Sequence, residues 1–274
     1  PLMLFSNSIG KVYNREQKLV PRTDVIPYDK LKILHDYADL SCVRDSSTLK
    51  HVKKIGSENS IFGGCPTIFL GKYNDYSKWL PKSEDVGVLI SIRTPSLINL
   101  PQKYQIALTS ELLDTVKGLR EKGYKRIRLL CNDSRDCEYA SYFRDYCEVD
   151  FVYTSNVFDY LSLLSNAKLV ISFRLHATLP SLSFNTPVIN VSYDERAESL
   201  VNDIGLGEWD IKYINEEKLS DSIMDRVERL EDLKTIVAKA SEKWNEIEKI
   251  QSDAFFKFEK LVRDNMIKRG IIKK

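Results

Sequence analysis

Residues 168–196, KLVISFRLHATLPSLSFNTPVINVSYDER, decide the fold. They open on Leu169-Val170-Ile171-Ser172-Phe173, a short β-branched and apolar run of the kind found in strands buried on both faces. Arg174 and His176 follow at once. The small and apolar segment 177–184 predicts a helix with Pro180 inside its first turn, where a missing N–H costs little. Asn185-Thr186-Pro187 then turns the chain into a second apolar run, Val188-Ile189-Asn190-Val191, ending at Ser192-Tyr193-Asp194. The unit is strand, helix, strand, and its ionisable side chains lie just past the carboxyl ends of the strands. Open parallel sheets bind their ligands there.

Upstream, the same alternation repeats. Residues 86–92 form a strongly apolar strand that delivers Arg93 at its carboxyl end, the usual anion position of a domain that opens in this way. A helix over 105–122, with its stripe Ile106, Leu108, Leu112, Leu113, Val116 and Leu119, leads to Gly123 and a strand at 127–131. A helix over 136–146 carries Tyr139, Tyr142, Phe143 and Tyr146 as an aromatic core stripe, and a strand at 151–153 and a helix at 157–165 follow. Downstream come a helix at 195–204, a strand-like 209–214 and long charged helices over 217–267. Strands alternating with helices predict a parallel α/β sheet.

The amino-terminal part reads less regularly. Residues 2–5 look like a buried strand, and the polar stretch after Gly10 looks like loop. Leu31, Leu34 and Tyr37 mark one buried side of a helix over 28–37. A short strand at 40–43 delivers Arg44-Asp45, and Ser46-Ser47-Thr48 can cap a helix running to Gly56. Arg44 either points into a cleft between domains or stabilises its own turn with Asp45. Residues 73–85 read as an interdomain linker anchored by Trp79 and Leu80.

Composition excludes several classes. A formal net charge of +2, from 41 basic and 39 acidic side chains, gives no electrostatic case for nucleic acid. Five scattered cysteines without Cys-x-x-Cys spacing, and three histidines, point to reduced thiols in a cytoplasmic protein and to no metal site. No apolar run approaches the ~18 residues of a spanning helix.

The spelling of 168–196, Ser-x-Arg-Leu-His, a small residue, an apolar helix, a Pro-Val-Ile strand and Tyr-Asp followed by a basic residue, resembles the carboxyl-terminal signature of the polysaccharide pyruvyl transferase family. Asn7-Ser8-Ile9-Gly10, Val43-Arg44-Asp45-Ser46-Ser47 and Arg93 are weaker echoes. At Gly63-Gly64-Cys65-Pro66-Thr67 the sequence departs from the family, which carries Pro-Asp there. The resemblance implies two Rossmann-like domains in a GT-B-like α/β arrangement of parallel sheets with flanking helices. It divides the chain into 1–80, 86–214 and carboxyl-terminal helices at 215–274 that pack back on the domains. Since family members carry a Gly-rich segment and further strand-helix units before Ser-x-Gly, the amino-terminal domain is expected to be incomplete here.

The implied reaction moves a pyruvyl group from phosphoenolpyruvate, a co-substrate rather than a cofactor, to a hexose of an exported or cell-envelope polysaccharide precursor, free or lipid-linked. The product is a pyruvate ketal. A donor bearing a carboxylate and a phosphate needs fixed cations, and arginine's planar fork suits both groups. Arg174, Arg93 and Arg44 are the expected binding residues, with Ser172 and Leu175 of the same signature. A group that titrates near neutrality serves such a proton transfer best, and His176 is either the general acid or a phosphate ligand. Asp194, with Glu195, either orients or deprotonates the sugar hydroxyl or serves as a helix N-terminal charge. The competing readings are a GT-B nucleotide-sugar glycosyltransferase and a non-catalytic carbohydrate-binding relative.

Overall fold

The apolar runs become two parallel sheets. A computed structural model of the chain describes residues 1–22, 27–75, 78 and 85–273. Trp79, Leu80 and most of the expected linker fall outside the described residues.

The first sheet is built from β1 (Met3–Asn7), then a small antiparallel hairpin of β2 (Val12–Tyr13) and β3 (Leu19–Val20), α1 (Tyr28–Tyr37), β4 (Leu40–Val43), α2 (Ser46–Lys54) and β5 (Ser60–Phe62). Its three strands run parallel in the order β1-β4-β5. A short 3-10 turn, Pro66–Phe69, and α3 (Leu70–Tyr73) close this half. The hairpin occupies the stretch that reads as loop, because strands of two residues carry too little alternation to show in the sequence.

The second sheet comprises β6 (Val88–Ser91), α4 (Gln102–Glu121), β7 (Ile127–Cys131), α5 (Ser134–Cys147), β8 (Asp150–Tyr153), α6 (Val157–Asn166), β9 (Leu169–Ser172), α7 (Leu175–Ser183), β10 (Val188–Ser192), α8 (Glu195–Asp203) and β11 (Ile211–Lys212). The strand order is β8-β7-β6-β9-β10-β11, all parallel, which is the doubly wound order 3-2-1-4-5-6. Every residue of β6, β7, β9 and β10 is buried, as runs covered by helices on both faces should be. Two helices finish the chain, α9 (Leu219–Glu228) and the 39-residue α10 (Leu230–Lys268). The latter reaches back to the first sheet, stacking Phe255 on Phe5 and donating from Gln251 Nε2 to the Gly63 carbonyl at 2.7 Å.

Four expectations fail on particular residues. Pro180 is the sixth residue of α7 rather than part of its first turn, because the helix begins at Leu175 and takes His176 into that turn. In α1, Leu34 and Tyr37 are exposed and the buried side chain is His35, whose Nδ1 lies 2.7 Å from Ser41 Oγ and 3.2 Å from Ser60 Oγ. In α5 the aromatic stripe splits: Phe143 is buried, while Tyr142 and Tyr146 stack on each other in solvent. Ile106 of α4 is likewise exposed.

Candidate functional site

In a doubly wound sheet the order reverses between the first and fourth strands, leaving a crevice outside their carboxyl ends. Here those strands are β6 and β9, and the residues that follow them are Arg93 and Arg174. A cavity of about 210 Å³ opens at this point, lined by Arg44, Arg93, Arg174, Arg196 and His176, with Leu175, Tyr193, Asp194 and Asn132 among its other walls.

Arg174 is fixed from three sides. Its Nε donates to the Ile92 carbonyl at 3.1 Å, its Nη2 hydrogen-bonds Asp136 Oδ2, and Asp133 Oδ2 stands 3.7 Å away. Asp136 is fully buried near the start of α5, where it also accepts from the Thr94 amide and hydroxyl at 3.1 and 2.9 Å and from the Asn132 amide at 3.2 Å. Each oxygen of that carboxylate is therefore shared, and it anchors the turns after β6 and β7 together with Arg174. Arg93 is held more loosely, with Nη1 3.5 Å from Asp133 Oδ2 and a buried Nε that finds no acceptor among the described residues.

Asp194 and Arg196 form the opposite wall. Asp194 is the N-cap of α8, accepting from the Ala197 amide at 3.0 Å, and its other oxygen accepts from Arg196 Nε and Nη2 at 3.1 and 2.5 Å. It is 3% exposed and lines the cavity, with one oxygen on the helix amide and the other on Arg196. Glu195 lies outside the cavity wall; it accepts from the Lys11 amide at 2.7 Å and pairs with His51 Nε2 at 3.0 Å. Burial pushes its carboxyl up, but His51, Lys11 and Ser47 outweigh that and hold it down at about 2.

Arg44 comes from the first sheet, at the carboxyl end of β4. Its amide donates to the Asn7 carbonyl at 2.8 Å. Asp45 caps α2 through Thr48 and accepts from Ser8 Oγ at 2.6 Å, so the turn is locked locally as well as aimed at the cavity. The guanidinium itself makes no hydrogen bond among the described residues; its Nε is 3.9 Å from Asp45 Oδ2. Polar contacts between α2 and α8 fix this half in place, with the Ser46 and Ser47 amides donating to Asp203 and Ser199 at 2.7 and 3.0 Å. Tyr13 of the hairpin adds a bond to Glu198 at 2.7 Å.

The structure thus brings together Arg44, Arg93, Arg174, Leu175, His176 and Asp194. Ser172 is not among the lining residues: it is fully buried, donating to the Arg174 carbonyl at 2.7 Å and accepting from the Arg174 amide at 3.1 Å, so it shapes the turn that presents Arg174. Arg196 and Tyr193, which the sequence offers as spelling of the signature without a site role, and Asn132 also line the cavity. For Arg196 the signal was available, since a basic residue two places after an N-cap Asp can fold back onto it.

A match to the polysaccharide pyruvyl transferase family spans residues 1–195, well over half of the chain. The chain belongs to the polysaccharide pyruvyl transferase family. No curated protein matches it significantly. Among solved structures, it is similar to UDP-GlcNAc 2-epimerase of Methanocaldococcus jannaschii, at 9% identity and a TM-score of 0.50, over 70% of this chain and 54% of that one. It is also similar to S. aureus MnaA in its UDP co-structure, with 12% identity, a TM-score of 0.55, and 99% and 76% of the two chains covered. TarM gives 15% identity and a TM-score of 0.51 over 85% of this chain and 46% of its own. The chain therefore spans about half the length of the first and last of these structures. These likenesses establish the fold, an α/β arrangement of parallel sheets with flanking helices whose neighbours are of the GT-B class.

Proposed function

We propose that the protein transfers a pyruvyl group from phosphoenolpyruvate to a pair of hydroxyls on a hexose of a polysaccharide precursor, releasing phosphate and leaving a pyruvate ketal. The observation that carries this reading is the convergence of four arginines and one histidine on a cavity of about 210 Å³. That volume is below the ~300–1,000 Å³ of ordinary small-ligand pockets. So much fixed positive charge in so little space suits a small polyanion better than a nucleotide sugar, whose base and second sugar need apolar walls.

The arginines hold the donor's carboxylate and phosphate by charge-assisted bonds. His176, exposed in the first turn of α7, gives a proton to the donor's methylene carbon while a sugar hydroxyl adds to C2. The hydroxyl's own proton replaces the one His176 gave. The second hydroxyl then displaces phosphate, and its proton leaves on that phosphate. Asp194 acts by orienting Arg196. Unpaired cysteines throughout and a donor of central metabolism fit a cytoplasmic reaction, and no helix among the described residues is long and apolar enough to cross a membrane. The acceptor is a saccharide, free or lipid-linked.

The test is phosphate release from phosphoenolpyruvate in the presence of candidate glycosides, with the ketal product identified by mass. Turnover that requires a nucleotide sugar, or full turnover by both Arg174→Ala and His176→Ala, overturns the reading. Sugar binding without turnover by wild type favours a carbohydrate-binding role instead.

A further inference from the structure

Tyr193 stands between the last residue of β10 and Asp194, the N-cap of α8, and lines the cavity. Its ring packs against the large hydrophobic core. Its hydroxyl makes no hydrogen bond among the described residues, yet it is not sealed from solvent as the Nε atoms of Arg44 and Arg93 are. Largely buried tyrosines usually tie that oxygen to the protein. Others in this chain do so: Tyr104 donates to the Ile214 carbonyl at 2.6 Å, Tyr213 to the Tyr104 carbonyl at 2.9 Å and Tyr13 to Glu198 at 2.7 Å, while Tyr160 accepts from Asn132 at 3.0 Å. Tyr193 is left open to the space whose lining it shares with Arg93, Arg174 and Arg196.

The second step of the proposed reaction has a place for such a group. As the second sugar hydroxyl displaces phosphate, a bond from C2 to the sugar oxygen forms, the bond from C2 to the phosphate oxygen breaks, and one proton must pass from the attacking oxygen to the departing one. A side chain that bridges them has to accept from the first and donate to the second. Arginine only donates and an ionised carboxylate only accepts, so neither the four arginines nor Asp194 does both; a phenol does both from a single oxygen. Asn190 is spent on Thr178, Ser192 and Asp210, at 2.6, 3.0 and 2.7 Å. Resting on the proposed reaction, we infer that Tyr193 is a catalytic residue whose hydroxyl bridges the attacking sugar oxygen and the phosphate, taking up the sugar's proton as it gives its own to the leaving phosphate. The phenol ends as it began, and no charge builds on it. Its ring, seated on the core, fixes the oxygen in advance. The electrostatics agree: burial, with Asp194 adding to it, pushes the phenol up against the pull of Arg93, Arg174 and Arg196, so the proton to be relayed is present at neutral pH.

Tyr193→Phe tests this, because it removes one oxygen and no hydrogen bond to the described residues. Its unfolding midpoint should equal that of wild type. Titration calorimetry with phosphoenolpyruvate should show affinity about 3- to 10-fold weaker, and kcat with a glycoside that supports phosphate release should fall about 100-fold. The block falls at the second step, so rapid quenching of the variant should catch an adduct with the summed mass of phosphoenolpyruvate and glycoside. Unchanged turnover overturns the inference, as does a loss of kcat matched by a lower unfolding midpoint, which marks a packing role. A loss of kcat with no adduct places the block before the first addition and refutes the relay. Should wild type release no phosphate with any glycoside, the proposed reaction falls, and binding decides the hydroxyl's contact: weaker phosphoenolpyruvate binding by the variant keeps it, and equal binding removes it.

Discussion

The backbone of Gly10 lies directly against the side chain of Arg196, so adding one methyl group there tests how the first sheet shapes the site. A Cβ at this position would sit less than 3.0 Å from Arg196 Cγ, 3.2 Å from Cδ and 3.3 Å from the Arg196 amide nitrogen. Gly10 has no left-handed φ, so Gly10→Ala costs the backbone nothing and acts by this collision alone. Arg196 must swing away, giving up its two bonds to Asp194 at 3.1 and 2.5 Å and its place in the cavity. A charge-assisted bond contributes about 1.5–3 kcal/mol. The Arg196 side chain is 40% exposed, which places the effect at the lower end of that range. Affinity for phosphoenolpyruvate should therefore fall about 10-fold. Titration calorimetry measures it, and a double-mutant cycle supplies the decisive comparison: in an Arg196→Ala background, Gly10→Ala should add almost nothing. Equal losses in both backgrounds would show that Gly10 does not act through Arg196, and the steric argument would fall.

Arg44→Ala removes a guanidinium that makes no hydrogen bond among the described residues, so phosphoenolpyruvate affinity should drop about 10- to 100-fold with little change in the unfolding midpoint, read by calorimetry and thermal denaturation. Asp136→Ala strands Arg174 and leaves the amides of Thr94 and Asn132 without their acceptor; the cost should be about 3–5 kcal/mol in denaturant unfolding. Asp210 is pushed up to about 6, chiefly by burial beside Asn190 and Ser192. The folded state then holds a proton that the unfolded state has already lost, so stability should decline as pH rises from about 4 to about 6. Asp210→Asn should flatten that decline in urea melts recorded across the window.

How much of this was legible in the sequence depended on how the information is carried. The second sheet was readable because each of its central strands is an uninterrupted apolar run bounded by turn residues, and β7 matches residues 127–131 end to end. Strand ends then located Arg93, Arg174 and Arg44 without any knowledge of contacts, since a parallel sheet puts its carboxyl ends on one edge. What the sequence does not carry is which partner each ionisable group finds. Asp194 reads equally as a base or a cap, and nothing in its spelling announces the bonds it accepts from the Ala197 amide and from Arg196. Periodicity also fails where a helix faces a partner made of side-chain hydroxyls: His35 is buried on Ser41 and Ser60 while Leu34 faces solvent.

The two halves of the site differ in how firmly they are held. Arg93 and Arg174 project from a sheet whose strands lie inside the large hydrophobic core, which extends from Cys65 to Ile247. Arg44 projects from a half whose own buried cluster is Ile9, Val43 and Val52, with Leu31 and Leu49 packed beside them. Its attachment to α8, beside the site, runs through hydrogen bonds of Lys11, Tyr13, Ser46, Ser47 and His51, while Phe62, Cys65, Ile68 and Phe69 join it elsewhere to the large core. Polar interfaces of this kind open at lower free energy than packed cores. Local opening of the first half should thus withdraw Arg44 and Gly10 from the cavity while Arg93 and Arg174 keep their geometry. Amide exchange should show this as weaker protection of β4 and α2 than of β6 and β9, and saturating phosphoenolpyruvate, by bridging Arg44 to Arg174, should raise protection mainly in the former pair. Uniform protection across both halves would mean that the polar seam is as cooperative as the core, and that the cavity is preformed on both sides.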